Sequence, residues 1–278
     1  MELPAIFSYQ FVQHAFLAAL LMSVACGIIG TYIVARRMVF ISGGITHASF
    51  GGVGIGYYLG FPPLAGAAVV AVLAALTTER LTRKKVMRND SIIAIMWSLG
   101  MAVGIIFVYL TPGYVPNLMS YLFGSIITVT ATDLWFMLAL VVGVVAFFTL
   151  YFEPILYVSF DEEFAKTRGI PVMRYNYLLI ILVALTIVLS IRIAGIILVL
   201  SILTIPQNIS NLFTNRFGQI MISSVAISFF ASLLGLLFSY LLDIPSGATI
   251  IFILVVLYLL ARWIKVVTFG RNIQKSKD

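Results

Sequence analysis

The stretch YNYLLIILVALTIVLS, residues 175–190, holds no charged side chain, and runs like it recur along the whole chain. A helix needs about 20 predominantly apolar residues to cross the hydrocarbon core of a bilayer. Nine such runs can be marked, at about 11–35, 42–60, 62–79, 91–110, 131–152, 175–191, 194–212, 219–242 and 246–264. They are continuously apolar rather than alternating, so they predict helices and not barrel strands. A further run, 117–127, is too short to span and reads as a re-entrant or interfacial piece, so eight to ten spans fit the sequence. The fold class that follows is an all-α integral membrane protein, a polytopic bundle of about nine transmembrane helices.

Composition agrees. Hydrophobic residues make up 62% of the 278 and charged residues only 10%, where a soluble domain carries about 25% charged. One transmembrane domain is expected over 1–265, followed by a basic tail, 266–278. The first ten residues lack a basic n-region and contain Glu2, so the first span is expected to stay in the mature protein. The lone cysteine, Cys26, lies inside that span and reads as a small packing residue. A sequence pI near 9.6 reports topology and contact with anionic lipid here rather than nucleic-acid binding.

Charge placement fixes an orientation. With the N-terminus outside and the C-terminus inside, all but Arg192 of the 17 Lys and Arg fall on the inner side. That is the asymmetry of the positive-inside rule.

The sizeable inner loop, SFDEEFAKTRGIPVMRY, is punctuated as a short helix at about 160–169. Ser159 or Asp161 can cap its start, and Glu162 and Glu163 suit the positive end of the helix dipole. Lys166 and Arg168 occupy the last turn, Gly169 suits a left-handed cap, and Pro171 stops the helix. Two turns have little stability alone. The segment therefore reads as a docking element with Phe164 as its anchor; an interfacial linker is the alternative.

No G-x-x-x-x-G-K-[ST] phosphate loop occurs, so the chain has no ATP site of that kind and is not read as an enzyme. Asp90, Asp133 and Asp243 sit at span ends, whereas ion-coupled carriers usually hold carboxylates at mid-membrane.

The second span, FISGGITHASFGGVGIG, combines a small-residue face with an imidazole. Gly44, Ala48, Gly52 and Gly56 recur every four residues and let another helix approach closely. His47 lies beside that stripe with Gly43 and Gly51 one turn away, and nothing bulky is expected above or below its ring. One reading gives His47 a packing hydrogen bond; the other places it on an ion path, since imidazole ligates transition metals. His14, near the outer end of the first span, reads as an interfacial anchor.

These residues resemble the membrane permease of the ATP-binding-cassette importers for divalent metal ions. The likeness rests on five ordered segments: GIIGTYIVARRMVFISGGITHASFGGVGIGYYLG, MSYLFGSIITVTATDL, DEEFAKTRGIPV, RIAGIILVLSILTIPQNIS and DIPSGATIIFILVVLYLL. The resemblance implies a permease in the inner (cytoplasmic) membrane that binds no cofactor itself. It further implies two permease copies paired with two ATPase subunits that bind and hydrolyse ATP, and an extracytoplasmic binding protein that delivers the ion. Asp161, Glu162, Glu163, Phe164, Lys166, Arg168 and Gly169 then form the ATPase-coupling helix, and His47 the metal ligand. Members commonly carry G-D-x-x-x-H, but here the acidic position is Gly43. Imidazole without that carboxylate leans towards zinc over manganese. Two other readings compete: a self-sufficient carrier or channel, and a scaffold subunit in which the small-residue stripe serves assembly only.

Overall fold

The computed structural model describes residues 9–84, 87–113, 124, 126 and 129–275, with side chains as far as Thr268. The short run 117–127 lies outside these apart from Gly124 and Ile126.

Eleven helices order the described residues. They are α1 (Gln10–Ala35), α2 (Val39–Leu59), α3 (Pro63–Arg83), α4 (Asn89–Leu110), α5 (Ala131–Leu150), α6 (Phe152–Phe160), α7 (Glu162–Thr167), α8 (Val172–Ile202), α9 (Ile205–Asn211), α10 (Phe217–Leu242) and α11 (Ser246–Lys275). No strand occurs among the described residues, as the continuous apolar runs require.

Seven helical segments are long and apolar enough to cross a membrane. The helix α2 is not among them, because its glycines, serines and His47 dilute its hydropathy, yet it packs between α3 and α4 as part of the bundle. One of the seven, Val172–Asn211, is 40 residues long. At 1.5 Å per residue it would measure about 60 Å, twice the bilayer core.

It does not run straight. Gly195 interrupts it with φ 77 and ψ 165, a conformation open in practice only to glycine. Two side chains show that the chain doubles back there. Ser190 Oγ lies 3.4 Å from Cys26 Sγ, and Gln207 Nε2 donates to the Cys26 carbonyl at 3.0 Å. In a straight helix those 17 positions would stand about 26 Å apart. Counting the doubled segment twice and adding α2 gives nine segments among the described residues, as the apolar runs predict.

Boundaries differ from the sequence reading in two places. The run 131–152 ends as a helix at Leu150, and Tyr151 (φ −119, ψ 30) turns the chain into α6 before the docking loop. At the far end α11 continues to Lys275, so residues 266–275, read as a tail, prolong the last helix.

The core is built where α1 and α8 meet their neighbours. Ala18, Met22, Ile29 and Tyr32 of α1, and Leu179, Val183, Ile187 and Val199 of α8, are essentially inaccessible. Helices α4, α10 and α11 leave long apolar side chains exposed, among them Ile106, Phe230 and Phe252. Surfaces of that kind suit lipid.

Candidate functional site

The helix α2 carries the first candidate region. Its small face is shared between two neighbours rather than given to one. A Cβ on Gly52 would overlap the carbonyl oxygen of Gly66 in α3, and one on Gly66 would overlap that of Gly52. Gly56 meets Pro63 of α3, its missing Cβ lying 2.8 Å from the Pro63 Cα. Towards α4, a Cβ on Gly44 would come within 2.9 Å of Ile93 Cγ2, and Gly100 abuts the backbone of Ala48. The predicted stripe Gly44, Ala48, Gly52 and Gly56 is thus a two-sided contact.

His47 sits on the half-buried edge of this sandwich. Its ring lies flat on the indole of Trp97 from α4, with centroids 3.8 Å apart and planes 11° from parallel. This corrects the expectation of an unobstructed ring. Gly43 and Gly51 do leave space along α2 itself, and the neighbouring helix fills it. Trp97 lies seven residues before Gly104 and three before Gly100, both of which touch α2, so it belongs to the same face of α4. The Trp-x-x-Gly spacing was a usable signal only once α4 was known to be the partner.

Nδ1 of His47 is enclosed and has no hydrogen-bond partner among the described residues. A packing role through a hydrogen bond from that nitrogen is therefore not what the geometry provides. Beside it, Gly43 is buried but uncrowded. A Cβ there would stand 3.8 Å from Trp97 Cζ3 and 4.0 Å from Leu200 Cδ2, ordinary contact distances. Among the described residues no three His, Cys, Asp or Glu side chains converge. His14, by contrast, is tied down: its Nδ1 lies 3.2 Å from the Val129 carbonyl.

The second region is the docking loop. Asp161 caps α7, accepting from the Phe164 amide at 2.9 Å, whereas Ser159 turns back to donate to the Ile155 carbonyl. Gly169 takes φ 73, the left-handed cap its position predicts. Glu163 and Lys166 pair at 2.6 Å on the exposed side. Phe164 is 45% exposed, its ring edge-on to Tyr157 with Arg168 above it.

Glu162 faces the other way. Its Oε1 accepts from Arg36 Nη2 at 2.7 Å, Arg83 Nη2 at 3.3 Å and Asn176 Nδ2 at 3.0 Å. Arg36 also donates to the Val158 carbonyl, and Arg83 Nε reaches Glu79 at 2.5 Å. One carboxylate thus ties α7 to the end of α1, the end of α3 and the start of α8. Burial would raise its pKa, but the hydrogen bond from Arg36 and the charges of Arg83 and Arg36 hold it below the usual glutamate value. Sequence placed Glu162 with the docking residues; the fold turns it into the bundle.

At the opposite end Arg192 Nε lies 3.4 Å from Asp133 Oδ1. Asp133 is also engaged in a capping box with Thr130. The cation that stood apart in the charge distribution is therefore paired.

Residues 8–265 match the ABC 3 transport family. An uncharacterised membrane protein of Synechocystis sp. is 42% identical over 253 residues, covering 91% of this chain and 90% of that protein. The manganese transport system membrane protein MntC of Halalkalibacterium halodurans is 33% identical over 254 residues, covering 91% of this chain and 87% of its own length. Among solved structures, PsaBC from Streptococcus pneumoniae in complex with Fab matches with a TM-score of 0.84 at 28% identity, over 95% of this chain and 97% of that one. With the family model matched over residues 8–265 and the fold shared with PsaBC, the chain belongs to the ABC 3 transport family, as a non-enzymatic, multi-pass subunit of the cytoplasmic membrane.

Proposed function

We propose that this chain is the permease of an ATP-driven importer for a divalent transition-metal ion, with manganese as the first candidate and His47 on the path. ATP is bound and hydrolysed by a separate ATPase subunit, an extracytoplasmic protein delivers the ion, and two permease copies assemble. The observation that carries this reading is family membership together with a half-buried imidazole, free of hydrogen bonds among the described residues, beside a close helix contact. Relatives named for manganese support that metal, against the zinc that imidazole alone favours. With a glycine at position 43, the remaining ligands come from water, hydroxyls or His47 of a second copy.

In this reading the N-terminus is outside and the C-terminus inside, so the end bearing Arg36, Arg83 and α7 is cytoplasmic. Exposed Phe164 and the Glu163–Lys166 pair then dock on the ATPase. The chain is to be purified with its ATPase and reconstituted with the binding protein. Manganese(II)-dependent ATP hydrolysis and uptake are expected, competed by other divalent ions in order of preference, with uptake lost in His47→Gln. Failure to associate with any ATPase, together with metal flux through the chain alone, would establish a self-sufficient carrier instead.

A further inference from the structure

A histidine that ligates a metal usually donates its other ring nitrogen to a carboxylate or carbonyl, which fixes the plane of the ring. His47 has no such bond among the described residues, and its enclosed Nδ1 is unpartnered. What holds the ring is the indole of Trp97, parallel within 11° at 3.8 Å. Along α2 itself, Gly43 and Gly51, one turn to either side, have no side chains to hold it, and Ala48 abuts the backbone of Gly100 in α4.

We propose that Trp97 is a positioning residue of the ion path: it sets the plane of the His47 imidazole and offers a π face to the positive charge the ring shares when it binds a cation. The proposal rests on the reading of His47 as a path residue. Metal ligation uses a lone pair in the plane of the imidazole, so a bound ion would sit beside the indole and not under it. Stacking therefore orients the ring without obstructing it. The indole face is electron-rich and interacts favourably with a cation, although Trp97 itself is 39% exposed. No acidic cluster converges on His47 among the described residues to supply that charge otherwise. Trp97 also borders Gly43, 3.8 Å from where its Cβ would lie. A carboxylate placed there would stand one turn from His47 on the same helix. Indole and carboxylate are thus alternative ways of making this corner receptive to a cation.

The test uses the complete complex in proteoliposomes, with initial manganese(II) uptake normalised to assembled complex. Trp97→Leu is expected to lower uptake roughly three- to thirtyfold, the span from an exposed to a desolvated cation–π contact. Trp97→Phe, which keeps a π face, retains most of the rate. Gly43→Asp added to Trp97→Leu recovers it. Packing alone would not produce that recovery. A spectroscopic measurement is independent of transport. The chain has 3 tryptophans, so Trp135→Phe with Trp263→Phe leaves Trp97 as its sole tryptophan, excited selectively over tyrosine. Its fluorescence should change on adding manganese(II) or zinc(II), and the response should vanish in His47→Ala. If His47→Gln abolishes uptake while Trp97→Leu transports normally, the role of Trp97 is overturned and the path reading stands. If Trp97→Leu and Trp97→Phe are equally impaired and Gly43→Asp rescues neither, Trp97 only packs. If His47→Gln transports normally, the path reading itself falls.

Discussion

Two glycines of α2, nine residues apart, answer to different constraints. Gly43 is buried but uncrowded, with its nearest neighbours at ordinary contact distance. Gly52 has the carbonyl of Gly66 pressed against the position its Cβ would take. Gly43→Ala is therefore expected to fold, with a melting temperature in detergent within a few degrees of the parent, since the position is buried but the added Cβ meets only ordinary contacts. Gly52→Ala forces α2 and α3 apart and should cost roughly 1–3 kcal/mol, seen as a lower melting temperature and reduced yield. Equal stability of the two variants would mean that the contact yields freely. Both glycines belong to a motif legible in the sequence, but which of them touches a backbone was not. A four-residue period marks a face without saying which neighbour it meets. The same gap hid Trp97, whose stacking on His47 depends on the register between α2 and α4 and not on anything local to either helix.

At the scale of elements, the six residues of α7 are too few to persist as an isolated helix. Three links hold it: the Asp161 cap, the Gly169 turn and the Glu162 hub. The cap and turn were legible because capping chemistry is local. The hub was not, because Arg36, Arg83 and Asn176 come from three distant parts of the chain. It divides the helix by function. Phe164→Asp is expected to abolish capture of the ATPase while the permease itself remains stable, since Phe164 is exposed and Glu162 keeps its partners. Intact capture would refute docking through this side chain. Glu162→Gln should do the converse, keeping much of the docking surface and destabilising the permease by roughly 1–3 kcal/mol, between exposed and buried ion pairs. The pH dependence has a definite sign. Because the folded pKa is depressed, the hub stabilises fully above the ordinary glutamate value of 4.5. That contribution fades as the pH falls through the lower folded value. Melting temperatures measured from pH 6 down to pH 3 should therefore fall less steeply in Glu162→Gln than in the parent; parallel curves would show that Glu162 does not carry the acid response.

For the whole molecule, the count of spans and the placement of charge emerge from composition, because a bilayer allows so few alternatives. The reversal at Gly195 is less legible: the apolar run continues across it, and only the excess length and a single glycine hint at a turn. Arg192 marks that turn, and its pairing with Asp133 shows how one cation can lie at the end opposite the other basic residues. The fold by itself separates two ends without saying which faces the cytoplasm. The proposed orientation rests on the charge asymmetry: Arg36, Arg83 and Arg88 lie at one end, which the positive-inside rule would put in the cytoplasm. Two exposed positions make this testable, Ile244 in the link between α10 and α11 and Arg88 at the start of α4. Cys26 is the lone native cysteine and is fully buried; replacing it with serine leaves an unreactive background. In intact cells or spheroplasts, Ile244→Cys should react with a membrane-impermeant thiol reagent, and Arg88→Cys should react only after permeabilisation. The opposite pattern would invert the bundle. It would put α7 on the wrong face for an ATPase, so labelling at these two sites tests the orientation and the docking assignment together.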